Sequence, residues 1–110
     1  MAEDRDGDTL ILALDGRLDS TTSPEFEKKI VGAIRDNQKH IVIDMGGVEY
    51  ISSAGLRAVL IGAKQMSADF GKLALCGLNE KIAEVFHMSG FDKILTILPS
   101  RDEAVAAVAP

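Results

Sequence analysis

Ile41-Val42-Ile43-Asp44-Met45-Gly46-Gly47-Val48-Glu49-Tyr50-Ile51-Ser52-Ser53-Ala54-Gly55-Leu56 is the stretch whose reading decides the fold. Its first five residues are mostly β-branched and nearly all apolar, as in a strand covered on both faces. Gly46-Gly47 ends the run, and Val48 to Ile51 form a connecting loop. Ser52-Ser53 then leads into a helix from about Ala54 to Phe70, closed by Gly71. Within it Leu56, Val59, Leu60, Ala63 and Met66 recur at helical spacing and mark one apolar face.

Outward from this unit the same alternation repeats. Downstream, Leu73 to Cys76 reads as a buried strand. Asn79 caps a helix bearing Ile82, Val85 and Phe86, which Gly90 ends. Ile94 to Leu98 is a strand stopped by Pro99. Ser100 and Glu103 have capping-box spacing before a short Ala/Val helix, Ala104 to Val108. Upstream, Thr9 to Leu14 is an apolar strand broken by Asp15-Gly16. Ser20 to Glu25 is a helix start with Pro24 at the first helical position. Phe26, Ile30 and Ile34, four apart, form that helix's buried face, and Asp36-Asn37 ends it. Asp6-Gly7 is a hairpin signal, so any strand near Ala2–Arg5 is short and at an edge. Four rounds of strand and helix predict an α/β fold with a mostly parallel sheet and right-handed crossovers. The face on which each helix lies is not given by the pattern.

Composition bounds the function classes. The chain has 110 residues, with 12 Lys+Arg against 17 Asp+Glu, a formal charge of −5. That length suits one domain over residues 1–110. An apolar content of 46% excludes general disorder. A net acidic chain repels phosphate backbones, and five aromatic side chains without Trp make no stacking platform, so nucleic acid is not an expected partner. The single cysteine, Cys76, forms neither an internal disulfide nor a Cys-rich zinc site. No apolar run reaches membrane-span length, and the acidic N-terminus does not resemble a signal peptide. Cytoplasmic location without membrane insertion is the expectation.

In open parallel sheets, ligands and partners meet the carboxyl ends of the strands. Those ends carry Asp15–Ser23, Gly46–Ser53, Gly77–Asn79 and Pro99–Ser100. Ser52 and Ser53 invite two readings. One is plain capping of first-turn amides. The other adds that a helix N-terminus favours negative charge, so a serine there can accept a phosphoryl group without melting the helix. A hydrolase reading fails. Ile51-Ser52-Ser53-Ala54-Gly55 lacks the first glycine of Gly-x-Ser-x-Gly, and His87 lies on a helix rather than after the last strand. Gly46, Gly47 and Gly55 match neither dinucleotide nor phosphate-loop patterns. No residues have metal-ligand spacing, and no cofactor motif appears. His40 reads as a surface residue, His87 as a packing residue, Asp15 and Asp19 as solvated loop acids, and buried Cys76 as inert.

Four segments together resemble a known family. They are Leu14-Asp15-Gly16-Arg17-Leu18-Asp19, Ile41 to Met45, Val48 to Leu56, and Val85-Phe86-His87-Met88-Ser89-Gly90-Phe91. In this order and spacing, nearly the whole chain resembles a stand-alone STAS domain of the bacterial anti-sigma factor antagonists. The resemblance implies a mixed sheet of four to five strands with four helices. It implies a non-enzymatic partner switch: the protein binds an anti-sigma factor that is itself a serine kinase, and so frees a sigma factor. The kinase phosphorylates one serine to end binding, and a metal-dependent serine phosphatase restores it. That serine falls on Ser53, with Asp19 matching an acidic residue beside it and Asp19, Ser52, Ser53, Ala54, Gly55 and Leu56 forming the partner-binding surface. Ser52 stands where the sporulation and stress members have Asp, and is therefore a competing acceptor. Ala54 stands where they have Ser or Thr. Other STAS domains serve stressosome scaffolds and lipid-transport complexes, which is the alternative reading without phospho-switching.

Overall fold

A computed structural model describes all residues, Met1–Pro110. Five strands and four helices alternate along the chain: β1 (Ala2–Asp6), β2 (Thr9–Leu18), α1 (Ser23–Arg35), β3 (His40–Ile51), α2 (Ser53–Ala68), β4 (Lys72–Cys76), α3 (Glu80–Met88), β5 (Thr96–Leu98) and α4 (Arg101–Val108). The sheet order is β1-β2-β3-β4-β5. β1 is antiparallel to β2, and every other pair is parallel. The expected α/β fold with a mostly parallel, mixed sheet is the fold observed.

Strand alternation divides the core in two, because successive side chains point to opposite faces. Leu10, Leu12 and Leu14 of β2 and Ile41, Ile43 and Met45 of β3 face the larger cluster, shared with Phe26 and Ile30 of α1, Val59 and Met66 of α2, and Ile82 and Phe86 of α3. Ile11, Val42, Ala74 and Cys76 face the other way, onto Ala104 and Val108 of α4. The helix faces left open by the sequence are thus assigned: α1 to α3 on one side, α4 on the other. Gly62 lets α1 and α2 approach, since a Cβ there would lie 2.7 Å from Ile30 Cδ1.

Several boundaries differ from expectation. Asp15-Gly16 and Gly46-Gly47 do not end their strands. β2 runs on to Leu18 and β3 to Ile51, with register irregularities between Ala13 and Asp15 and between Gly16 and Arg17. Gly16, at φ +70, takes a conformation open to glycine, so the kink bends the strand rather than stopping it. The hairpin pairs Asp6 with Thr9, so its two-residue turn is Gly7-Asp8 rather than Asp6-Gly7, with Gly7 at φ +59. Val85 lies exposed on the short helix α3, which buries only Ile82 and Phe86. Ile94 is exposed, a 3-10 turn occupies Phe91–Lys93, and β5 starts at Thr96. Helix α1 begins at Ser23 after Thr22, which makes no side-chain cap. Asn79 and Ser100 do cap α3 and α4, accepting from the Ile82 and Glu103 N–H groups.

Helix α2 ends with an unusual residue. The Phe70 N–H reaches the Ser67 carbonyl and the Gly71 N–H reaches the Met66 carbonyl at 2.8 Å, the paired closing bonds of a left-handed helix end. Phe70 therefore sits at φ +60, where glycine is favoured, with its side chain 94% exposed. The left-handed conformation costs an L-residue about 1–2 kcal/mol, against about 0.5–1 kcal/mol of extra chain entropy lost by glycine. Phe70→Gly should therefore stabilise the protein by about 0.5–1 kcal/mol, read as a raised denaturant midpoint. A lowered midpoint would show that the ring supports a contact.

Candidate functional site

The carboxyl ends of β2 and β3 meet the start of α2 through one carbonyl. Leu18 O accepts the Ser52 N–H at 2.9 Å. A Cβ on residue 55 would lie 2.3 Å from the same oxygen and 3.0 Å from Ile51 Cγ1, so only glycine fits there. The first turn of α2 is thereby held against the end of β2. Ser52, extended at φ −93 and ψ 175, is the N-cap; its Oγ accepts the Gly55 N–H at 3.3 Å and its carbonyl accepts the Leu56 N–H at 2.9 Å.

Ser53 is then the first residue inside the helix, one position earlier than the sequence placed the helix start. It is exposed, and its hydroxyl bonds to no other group of the protein. Ser52 is half-buried and engaged. Ala54 and Leu56 are half-buried, and Gly55 is buried. The first turn of α2 contains no acidic residue, unlike those of the other three helices.

Asp19 lies one residue beyond the Leu18 anchor. Its carboxylate accepts the Thr21 and Thr22 N–H groups at 3.0 and 3.2 Å and the Arg17 Nε–H at 3.3 Å. It is not a free solvated acid: it shapes the loop that leads into α1, whose Ser23 N–H and hydroxyl bond the Asp19 carbonyl at 2.8 and 2.5 Å. The Thr21 amide, foremost, holds the carboxyl below its usual 3.8, with Arg17 and Thr22 adding to it and partial desolvation opposing. Arg17 also stacks over Tyr50, 4.3 Å from guanidinium carbon to ring centre, on the paired position of β3. Tyr50 is 44% exposed. Sequence spacing did not reveal this stack, because it depends on the register of two strands beyond their glycine kinks.

The other strand ends are occupied. Asp44 pairs with Arg101 at 2.9 Å and accepts the Gly46 N–H, while Arg101 also reaches Asp4 at 3.1 Å. Arg101 thus ties α4 to β3 and to the edge strand, a role its place beside a capping box did not announce. Cys76 is buried, and burial foremost, with the Asp44 carboxylate, pushes its thiol up to about 11. Asn79 donates to the Val48 carbonyl at 3.1 Å. His87 is exposed rather than packed, and its Nδ1 lies 2.8 Å from Asp92 Oδ2. His40 is half-buried, with Nδ1 2.6 Å from the Val108 carbonyl. Asp15 lies by the N-terminal amine at 3.3 Å. A hollow of about 540 Å³ lies between β1 and α1 and is lined by neither Ser52 nor Ser53.

Known proteins share this sequence pattern and this fold. A family model described as the STAS domain matches residues 1–104. The candidate anti-sigma factor antagonist BtrV of Bordetella bronchiseptica is 40% identical over 98 residues, covering 89% of this chain and 84% of that protein. The anti-sigma F factor antagonist of Paenibacillus polymyxa is 31% identical over 97 residues, covering 87% and 83%. Among solved structures, a candidate anti-sigma factor antagonist of Thermotoga maritima superposes with a TM-score of 0.92 at 25% identity, covering 97% of this chain and 92% of that one.

Two outcomes test the geometry. Gly55→Ala should destabilise the fold by about 2–3 kcal/mol, because backbone rather than a mobile side chain must yield. Denaturant unfolding measures it, and an unchanged midpoint would mean that α2 can slide away from Leu18. Asp19 titrates lower folded than unfolded, so its contribution to stability is present above 3.8 and is lost as pH falls through the folded value. Carboxyl NMR should place its midpoint below 3.8, and Asp19→Asn should remove its share of the acid-side loss. A midpoint at or above that value would contradict the hydrogen-bonded loop.

Proposed function

The chain belongs to the STAS-domain family, and from that premise we propose that it is an anti-sigma factor antagonist whose docking face is closed by a phosphate on Ser53. One observation supports this serine over its neighbour. Ser53 presents an unengaged hydroxyl on the exposed first residue of α2, whereas Ser52 uses its oxygen to cap that helix.

The face around Ser53 suits close docking. Ser53, Ala54 and Gly55 are small, and Tyr50, near the end of β3, is exposed with Arg17 over its ring. The partner is an anti-sigma factor with serine kinase activity, and the chemistry is the kinase's. The Ser53 oxygen attacks the terminal phosphorus of ATP. A new Oγ–P bond forms, the bond to the ADP oxygen breaks, and the hydroxyl proton leaves to a kinase base. This chain contributes the acceptor and holds it in place through the Leu18 anchor.

The product carries about −1.5 to −2 charges at pH 7. Burying such a group against a partner that docked on a neutral hydroxyl costs several kcal/mol unless cations meet it. Each 1.4 kcal/mol is tenfold in affinity, so the modification is ample to end binding. A metal-dependent serine phosphatase hydrolyses the ester and restores the hydroxyl. No helix is long and apolar enough to cross a membrane.

Incubation with the cognate kinase and ATP, followed by mass spectrometry, should place one phosphate on Ser53. Ser53→Ala should still bind the kinase but gain no phosphate, and Ser53→Asp should bind at least about tenfold more weakly. Phosphate on Ser52 alone would overturn the choice of acceptor. No phosphate at all would favour a STAS subunit of a stressosome or lipid-transport assembly.

A further inference from the structure

Helix α2 carries no acidic residue along its length, and its two charges are Arg57 and Lys64. Arg57 is exposed and makes no ion pair or hydrogen bond within the protein. It stands four residues after Ser53 on the same continuous helix. Residues so spaced are neighbours on one helix face, with Cβ atoms about 5–6 Å apart. A long helical side chain also leans back toward the helix N-terminus, so an arginine covers the turn before its own Cα. That turn, for Arg57, begins with Ser53. The other nearby guanidinium, Arg17, is already held by Asp19 and by the Tyr50 ring.

From this juxtaposition we infer that Arg57 is the built-in counter-ion for a phosphate on Ser53. The inference rests on the reading of Ser53 as acceptor and adds a second consequence of the modification. Before it, the first turns of α2 present a neutral hydroxyl beside an unpaired cation. After it, the guanidinium closes on the phosphate oxygens, a geometry that planar guanidinium groups match with paired hydrogen bonds. One modification then adds an anion and withdraws a cation from the same face. A partner that met Arg57 with a carboxylate loses that contact at the moment it gains a repulsion.

The test uses full-length protein with phosphoserine installed at position 53 by genetic encoding, so no kinase is required. The second ionisation of that phosphate is followed by phosphorus NMR in the protein as it stands and in Arg57→Gln. The native protein should show the midpoint lower by about half a pH unit, roughly threefold in the acid constant, and the gap should close near 1 M salt. Equal midpoints at low salt in two folded proteins would overturn the pairing, and matching amide spectra establish that both are folded. If the kinase leaves Ser53 unmodified, the reading of function fails by that separate assay, while the titration still decides the role of Arg57.

Discussion

The carbonyl oxygen of Leu18 sets where α2 begins. It receives the Ser52 N–H and lies so near Gly55 that a methyl group cannot stand between them. Both contacts depend on β2 and β3 continuing past their glycines, which carries Leu18 and Ile51 beyond the body of the sheet as a register pair. With the helix start fixed, the roles of the two serines are no longer symmetrical. One turns inward to satisfy a first-turn amide; the other faces water. A shift of one residue in that start would exchange them.

Local electrostatics make the second serine sensitive. The chain is acidic overall, yet near this end Arg17 pairs with Asp19 and Arg101 with Asp44 and Asp4, while Arg57 has no partner within the protein. The exposed pairs among these, Arg17–Asp19 and Arg101–Asp4, add little to stability, commonly under about 1 kcal/mol. With those charges engaged, Arg57 is the free cation of the helix turn that carries the small Ser53 hydroxyl. A dianion placed there outweighs that one cation and reverses the local sign, whereas the same group placed among the carboxylates of β1 would alter an already negative edge only in degree.

Much of the fold was legible because local signals agreed. The apolar run from Ile41 to Met45, the four-residue spacing of Phe26, Ile30 and Ile34, and the caps Asn79 and Ser100 each specify the element they belong to. The failures share a cause. Asp15-Gly16 and Gly46-Gly47 read locally as strand breaks, but pairing between β2 and β3 continues through the kinks. Val85 fits a helical stripe, yet α3 is too narrow a cover to bury it. Arg101 lies between the two capping-box residues, and nothing local marks the link it makes from α4 to two strands. Ser52 and Ser53 satisfy the same capping pattern, and only the distant Leu18 carbonyl separates them. The family resemblance, carried by four segments, singled out one of the four strand ends that spacing alone left open.

The central claim is that partners dock where the ends of β2 and β3 meet the first turn of α2. Amide chemical-shift mapping during titration with the cognate anti-sigma factor tests it most directly. The account predicts the largest changes from Arg17 to Asp19 and from Tyr50 to Arg57. Changes confined to the opposite end, around Asn37 and Phe70, with Ser53 and its neighbours unmoved, would contradict it.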